Sequence, residues 1–286
     1  MISFSLSFVL SFFFLSLLYI IDYMLPFYKF KRKNNISNDN SAQSFQHLYN
    51  KYNHTYTHSK KNNEYKSIIP LKVFQTWCTK NLPPFMKQCV KDLRLKNPEF
   101  EYFLFDDTDR RNFIKDNFDK NVLIAYDTLI PPAYKADLWR LCVLYIHGGI
   151  YLDIKLTTVN NFKLIELTES EHFVKDRLPP FTVYNALIVS KPNNPFLLLA
   201  INSIVYNVKN RYYGKSALEP TGPIMLGKII YFNKININVD MHHFIGGGYI
   251  VYKDTFVIST EYKEYKDEKP KNTNYNTLWR NKKIYN

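Results

Sequence analysis

Two pairs of charged residues are the side chains in this sequence whose type and spacing best suit chemistry. Asp137 and Arg140 stand three apart in the run Ala133–His147, so on a helix they share one face. Their neighbours Leu138, Leu141 and Cys142 are apolar, which sets the pair at the edge of a buried stripe. A carboxylate and a guanidinium placed there can jointly hydrogen-bond sugar hydroxyls, and a plain helix-surface ion pair is the alternative. The run Gly148-Gly149-Ile150-Tyr151-Leu152-Asp153 then leads from a helix end, through an apolar strand, to a carboxylate at the strand's C-terminal edge. Open α/β sheets bind ligands at that edge, although an aspartate there can also simply cap a turn. A diphosphate leaving group at such an edge needs neutralising charge, commonly a divalent metal held by hard carboxylate oxygens. Two residues beyond Asp153 stands Lys155.

Positioning those residues requires a sheet with helices between its strands. The pattern predicts a short buried strand within Ile68–Trp77, then the loop Asn81-Leu82-Pro83-Pro84. A helix carrying Met86, Val90 and Leu93 follows and stops before Asn97-Pro98. Glu101–Phe105 alternates and ends at Asp106-Asp107, which reads as a second strand with a new helix from Thr108 or Asp109. Ala133–His147 is the clearest helix, closed by Gly148-Gly149 and followed at once by the strand Ile150–Leu152. Later elements are a strand at Tyr184–Val189, helices at Pro195–Val208 and Gly222–Phe232, and a strand or hairpin arm at Tyr249–Ile258. Strand and helix in alternation imply an α/β fold with a parallel sheet, in one domain over 67–286.

Composition excludes several classes. With 286 residues, 46% of them hydrophobic and 22% charged, and with eight Gly and fourteen Pro, the chain is neither fibrous nor low-complexity. The net charge of +13 is uneven, because residues 1–66 hold eight Lys/Arg against three Asp/Glu and the rest holds 30 against 22. A basic body suits an anionic ligand such as a nucleotide diphosphate, and equally a solvated lysine-rich surface. No stacking or groove-reading motif accompanies it, so nucleic acid is not an expected partner. Cys78, Cys89 and Cys142 match neither zinc spacing nor a disulfide framework, with a single Cys78–Cys89 bridge left open.

Met1–Ile21 carries no charge and is close to the roughly 20 apolar residues that span a bilayer. Without a charged leader or a small-residue cleavage site, residues 1–28 are expected to be an uncleaved transmembrane anchor. Lys29, Lys31, Arg32 and Lys33 all follow the span, which by the positive-inside rule keeps the body cytosolic. Residues 29–66, rich in Asn, Ser, His and Lys and without period, read as a flexible stalk. Within it Asn35-Ile36-Ser37 and Asn53-His54-Thr55 fit the N-glycosylation pattern, which matters only for a lumenal stalk.

Four motifs occur in order: Ile69-Pro70-Leu71-Lys72-Val73-Phe74-Gln75-Thr76-Trp77, Asn81-Leu82-Pro83-Pro84, Asn97-Pro98-Glu99-Phe100-Glu101-Tyr102 with Asp106-Asp107, and Ala136-Asp137-Leu138-Trp139-Arg140 running into Gly148–Asp153. Together they resemble the DXD-type sugar transferases typified by fungal Golgi mannosyltransferases, glycosyltransferase family 32. The clostridial glucosylating toxins are similar at a greater distance. The resemblance covers residues 68–160 well, continues weakly to Thr221-Gly222-Pro223 and fades beyond. It implies a GT-A, Rossmann-like fold, a nucleotide-sugar donor, and a glycan, lipid or protein acceptor. It also implies retention of anomeric configuration and a divalent metal, commonly manganese; the anchored chain is expected in a Golgi or endoplasmic-reticulum type of membrane or another host membrane, with its orientation open. By the same analogy Trp77 lies by the nucleotide base, Asp137 and Arg140 hold the donor sugar with Tyr151 beside them, and Asp153 is the first DXD carboxylate and metal ligand.

The match breaks at Asp153-Ile154-Lys155, where an amine replaces the second carboxylate. A protonated lysine ligates no metal, yet it can set a positive charge beside a phosphate. Three readings stand open: Asp153 holds the metal with a C-terminal partner, Lys155 supplies part of the metal's charge, or the chain is a catalytically inactive glycan-binding or scaffolding protein. Asp153 and Lys155 are the candidate catalytic residues on the first two. Among later features, Asn185 either lines the cleft or starts a buried strand. His242 and His243, adjacent on an extended strand, point to opposite faces and make a shared zinc site a poor expectation. Trp279 with Arg280 either closes over the donor or packs as a tail aromatic.

Overall fold

A computed structural model describes residues 46–61, 64–176, 182–233, 242–243, 248–260 and 274–286 of the chain. The expected anchor over 1–28 and the stalk over 29–45 lie outside those residues, as do Gly246 and Gly247. Among the described residues no helix is long and apolar enough to cross a membrane.

The first half alternates as the pattern predicts. After a short helix α1 (46–52) come β1 (Lys72–Thr76), α2 (Pro84–Lys96), β2 (Glu101–Phe105) and α3 (Asp107–Asn117). Proline opens α2 at a position whose amide has no helical partner anyway. A capping box opens α3: Asp106 accepts from the Asp109 amide at 2.9 Å and Asp109 from the Asp106 amide at 3.2 Å. This box starts the helix slightly earlier than its apolar spacing suggests. Helix α4 (Lys120–Thr128) was not legible as a separate element, since it is short and buries only Val122, Ala125 and Tyr126. Helix α5 (Pro132–His147) is buried almost all round and runs into β3 (Gly149–Leu152). Gly148 and Gly149 make the reversal at positive φ, 61° and 104°, where a Cβ would come within 2.6 Å of Pro192 Cδ and of the Lys72 carbonyl respectively.

The second half departs from the expected parallel sheet. It comprises β4 (Thr157–Thr158), β5 (His172–Lys175), β6 (Val183–Ser190), α6 (Pro195–Lys209), α7 (Pro223–Phe232), β7 (His242–His243), β8 (Tyr249–Tyr252), β9 (Thr255–Ser259) and α8 (Tyr275–Arg280). The described strands form one sheet in the order β2-β1-β3-β6-β5-β7-β8-β9-β4. Only β2-β1-β3 and the β5–β7 contact are parallel, while β6 runs antiparallel to β3 and a hairpin joins β8 to β9. Five residue steps link Leu152 to Thr157, a reach of about 17 Å. Six strand spacings of a flat sheet amount to about 29 Å. The sheet therefore curls until its β9–β4 edge returns beside β3.

Alternation along the central strands divides the core. Phe74, Tyr151 and Ile188 face the helices, where they pack with Trp139, Leu141 and Ile201. Val73, Ile150, Leu152 and Leu187 face the other way, onto Phe162, Leu164, Val257 and Ile258 inside the curl.

The stalk reading needs correction over its second half. Within the unit Leu48–Asn286, Tyr56 is 3% exposed and stacks edge-on against Phe162. Buried Glu166 accepts from the hydroxyls of Tyr56 at 3.0 Å and Tyr65, from the Ser59 amide at 3.2 Å, and pairs with His58 at 3.1 Å. The polar composition that suggests a tether is here the complement of one buried carboxylate. The C-terminus takes the packed alternative: Trp279 Nε1 donates to the Tyr213 carbonyl at 2.6 Å, and Ile284 and Tyr285 enter the helix-side core. All three cysteines are free, so the Cys78–Cys89 bridge is absent.

Candidate active site

The C-terminal ends of β1 and β3 and the start of antiparallel β6 meet at one sheet edge, with α5 beneath. β3 ends at Leu152, and the Asp153 amide still donates to the Ala186 carbonyl of β6 at 2.8 Å. A tight turn follows, closed by the Leu156 amide on the Asp153 carbonyl at 2.9 Å. This turn presents Asp153 and Lys155 to solvent, each side chain 23% exposed, while Ile154 is buried with Met86 and Val90. Trp77 packs on that same apolar cluster, so the indole flanks the turn.

Asp137 and Arg140 lie under the edge rather than on it. Their residues are only 7% and 6% exposed. Asp137 Oδ1 accepts from Asn185 Nδ2 at 3.0 Å and faces Arg140 Nη2 at 3.2 Å, and its Oδ2 accepts from Thr221 Oγ1 at 2.8 Å. Gly222 belongs to this packing, because a Cβ there would sit 3.2 Å from Asp137 Oδ2. Arg140 donates to the Asn185 carbonyl at 2.6 Å and lies over the Tyr151 ring, 4.3 Å from its centroid. Its Nη1 reaches Asp153 Oδ1 at 3.5 Å, a charge contact longer than a good hydrogen bond. The Tyr151 hydroxyl donates to the same oxygen at 2.7 Å, and Lys155 Nζ lies 3.6 Å from Asp153 Oδ2.

The result is an alternating row of charges, Asp137, Arg140, Asp153 and Lys155, that passes from the interior to the surface. Burial pushes the Asp137 carboxyl up from the ordinary range, with Arg140, Thr221 and Asn185 pulling against it. Burial alone would lower Arg140, but Tyr151, Asp137 and Asp153 outweigh it and hold the guanidinium above its usual value. Arginine keeps its charge, and its guanidinium stands 3.2 Å from the Asp137 carboxyl. Burial likewise raises the Tyr151 hydroxyl well above the phenol range, so it acts toward Asp153 as a donor.

Asp137, Arg140, Tyr151, Asp153 and Lys155 thus come together, and Trp77 borders them. Asn185, near the start of β6, grips Asp137 by side chain and Arg140 by carbonyl. Thr221 was visible only as the weak tail of the family resemblance, because a threonine before a helix-opening Gly-Pro reads as local capping. The side chains of His242 and His243 lie outside the described residues.

Among the described residues the donor set at this edge does not fit a divalent cation. Among the described residues no group of three or more His, Cys, Asp or Glu comes together that could hold a metal ion. Asp153 is the one partly exposed carboxylate of this row, both its oxygens face a donor or a cation, and Asp137 has both oxygens engaged below it.

Residues 83–174 match the profile of a glycosyltransferase sugar-binding region containing a DXD motif. The chain is 31% identical over 160 residues to inositol phosphoceramide mannosyltransferase 2 of Schizosaccharomyces pombe, covering 56% of this chain and 45% of that one. It is 28% identical over 163 residues to mannosyl phosphorylinositol ceramide synthase SUR1 of Saccharomyces cerevisiae, at 57% and 42% coverage. Against the uncharacterized glycosyltransferase L373 of Acanthamoeba polyphaga mimivirus the identity is 32% over 134 residues, at 45% and 52%. The chain spans about half the length of these relatives. Among solved structures, PaToxG glycosyltransferase aligns at a TM-score of 0.48 and 20% identity, covering 60% of this chain and 73% of that one. The segment that carries Asp137, Arg140, Asp153 and Lys155 therefore lies within the residues that are similar to a glycosyltransferase sugar-binding region containing a DXD motif.

Proposed function

We propose that this chain is a glycosyltransferase, moving a hexose from a nucleotide-sugar donor to a hydroxyl of a glycan, lipid or protein with retention of configuration. The observation that carries this reading is the charged row Asp137–Arg140–Asp153–Lys155, inside the matched sugar-binding region, at the C-terminal edge of parallel strands. Such transfer asks for position and charge more than for a protein nucleophile. Asp153, oriented by Tyr151 and Arg140, is the group that meets the donor, with Lys155 at the leaving diphosphate. Asp137 and Arg140 form the floor that holds Asp153 and Asn185 in place, and Trp77 offers a face to the nucleotide base. A GT-A type of fold is supported by the parallel β2-β1-β3 unit flanked by antiparallel β6, with the site at their junction. The mannosyl transfer named in the fungal relatives makes mannose the first donor sugar to try and an inositol-containing sphingolipid the first acceptor. The uncharged run at the N-terminus supports a membrane tether.

The test is a panel of nucleotide sugars, assayed for hydrolysis and transfer with the full chain in detergent. At least one donor should turn over, and Asp153→Asn should abolish that turnover while the melting temperature is kept. A second reading, an inactive glycan-binding protein, is favoured by Lys155 alone. It wins if no donor turns over and glycans nevertheless bind.

A further inference from the structure

We propose that Lys155 stands where a metal's charge would act, so that the chain binds its donor and expels the nucleoside diphosphate without a divalent cation. This rests on the glycosyltransferase reading above and deepens it.

The argument begins with the donor set around Asp153. Its Oδ1 already receives the Tyr151 hydroxyl at 2.7 Å and faces Arg140 at 3.5 Å, and its Oδ2 faces the Lys155 ammonium at 3.6 Å. A cation arriving at either oxygen would meet a resident positive charge. The next carboxylate of the row, Asp137, is buried, with both oxygens engaged by Asn185, Thr221 and Arg140. Hard divalent cations in phosphate sites take one or two carboxylates besides phosphate and water oxygens, and the one partly exposed carboxylate of this row is already paired with Tyr151, Arg140 and Lys155.

Charge balance points the same way. Asp137 and Asp153 are matched by Arg140 and Lys155, so the row is formally neutral. An aspartate at 155 would leave a surplus of two negative charges, which is what a divalent ion neutralises. With lysine there, no surplus remains for a metal, and the positive charge a diphosphate requires is covalently part of the chain. Lys155 sits on a partly exposed tight turn anchored by buried Ile154, so its backbone is held at the strand end where the leaving diphosphate would lie.

The step balances as follows. The bond between the anomeric carbon and the terminal diphosphate oxygen breaks, its electron pair going to that oxygen. The acceptor hydroxyl oxygen bonds to the anomeric carbon on the same face and gives its proton to the departing diphosphate. Glycoside and nucleoside diphosphate leave, and the Lys155 ammonium stabilises the charge on the leaving oxygens without changing its own protonation.

The experiment uses the full chain in detergent with GDP, UDP and ADP as binding probes, titrated calorimetrically in EDTA and in manganese, with manganese binding followed separately by electron paramagnetic resonance. For the unmodified chain we expect one nucleotide to bind with affinity unchanged within about threefold between EDTA and manganese, and no tight manganese signal. Lys155→Ala should weaken that nucleotide about tenfold or more in both buffers, the range for loss of a charged hydrogen bond. Lys155→Arg should retain most of it. Lys155→Asp should lose binding in EDTA and recover it in manganese, together with a bound-manganese spectrum. Manganese-dependent nucleotide binding by the unmodified chain, or Lys155→Ala binding as tightly as the unmodified chain, would overturn the inference and leave the transferase reading standing. If Lys155→Ala fails to fold, the EDTA and manganese titrations of the unmodified chain decide alone. No nucleotide bound in any arm, with Lys155→Asp in manganese included, would instead overturn the transferase reading itself.

Discussion

Asp137 takes part in three polar contacts although its residue is almost fully buried, so its role is to hold the site from below. Breaking a buried, hydrogen-bonded ion pair from one side leaves the other charge stranded, at a cost of about 3–5 kcal/mol. Asp137→Asn should therefore lower the denaturation midpoint together with transfer, because Arg140 and Asn185 lose their common anchor. A chemical melt read beside specific activity checks this, and an unchanged midpoint would return Asp137 to a purely ligand-binding role. Tyr151→Phe is the complementary case. It removes one hydroxyl whose partner, Asp153, is partly exposed and keeps Arg140 nearby, so stability should move little while kcat/KM falls about tenfold, the equivalent of a bond to a charged group. Asp153 loses orientation by this change, and the fall should appear mainly in kcat.

At the scale of elements, the junction of α5 and β3 decides where Asp153 stands. Gly149 takes a φ of 104° with the Lys72 carbonyl 2.6 Å from where a Cβ would be. Gly149→Ala should cost at least about 1–3 kcal/mol from the backbone alone and push β3 away from β1, so that activity falls further than stability predicts. Comparing melts with kcat for that variant tests it. Tyr56, His58, Ser59 and Tyr65 dock on the 3₁₀ turn Leu164–Leu167 through Glu166. Burial alone would raise that carboxyl, but hydrogen bonds from Tyr65, Tyr56, Ser59 and His58 outweigh it and hold it below its usual value of 4.5. A carboxyl lowered on folding adds stability that is present above the unfolded value and lost as pH falls through the folded one. Denaturation midpoints of the unmodified chain should thus drop when pH is taken below about 4.5, and Glu166→Gln should remove this component of the drop. Equal pH slopes for the two proteins would show that the network is not formed in solution.

For the whole molecule, the boundary of the folded body follows from that docking. A chain beginning at residue 67 loses the buried Tyr56 ring and strips Glu166 of Tyr56, His58, Ser59 and Tyr65, leaving it the longer contact to Lys253 at 3.8 Å, whereas one beginning at residue 46 keeps them all. The longer form should melt cooperatively and the shorter one should melt lower or aggregate, which differential scanning calorimetry on the pair will show. The full chain should sediment with membranes through its uncharged first 21 residues, and the form beginning at residue 46 should stay in the supernatant. Full-length protein found in the supernatant would remove the tether from the proposed function.

Local signals sufficed where the physics is local. Proline at the start of α2, the Gly148-Gly149 stop and the alternation of Glu101–Phe105 each act within a few residues, so the order β1-α2-β2-α3-α5-β3 was legible in the sequence alone. The antiparallel half, the curl of the sheet and the partners of Asp137 were not. Whether β6 runs with or against β3 depends on which edge is free when it docks, and both directions share the same alternation. Thr221 meets Asp137 across 84 positions, and Tyr56 meets Glu166 across 110, so neither pairing leaves a mark in local composition. Tyr56, Ser59 and Tyr65 belong to a polar stretch that is indistinguishable from a tether until a buried carboxylate is placed beside it. Tertiary structure also turned Lys155 from a mismatch with a motif into one member of a balanced charged row, because charges cancel according to distance in space and not in sequence.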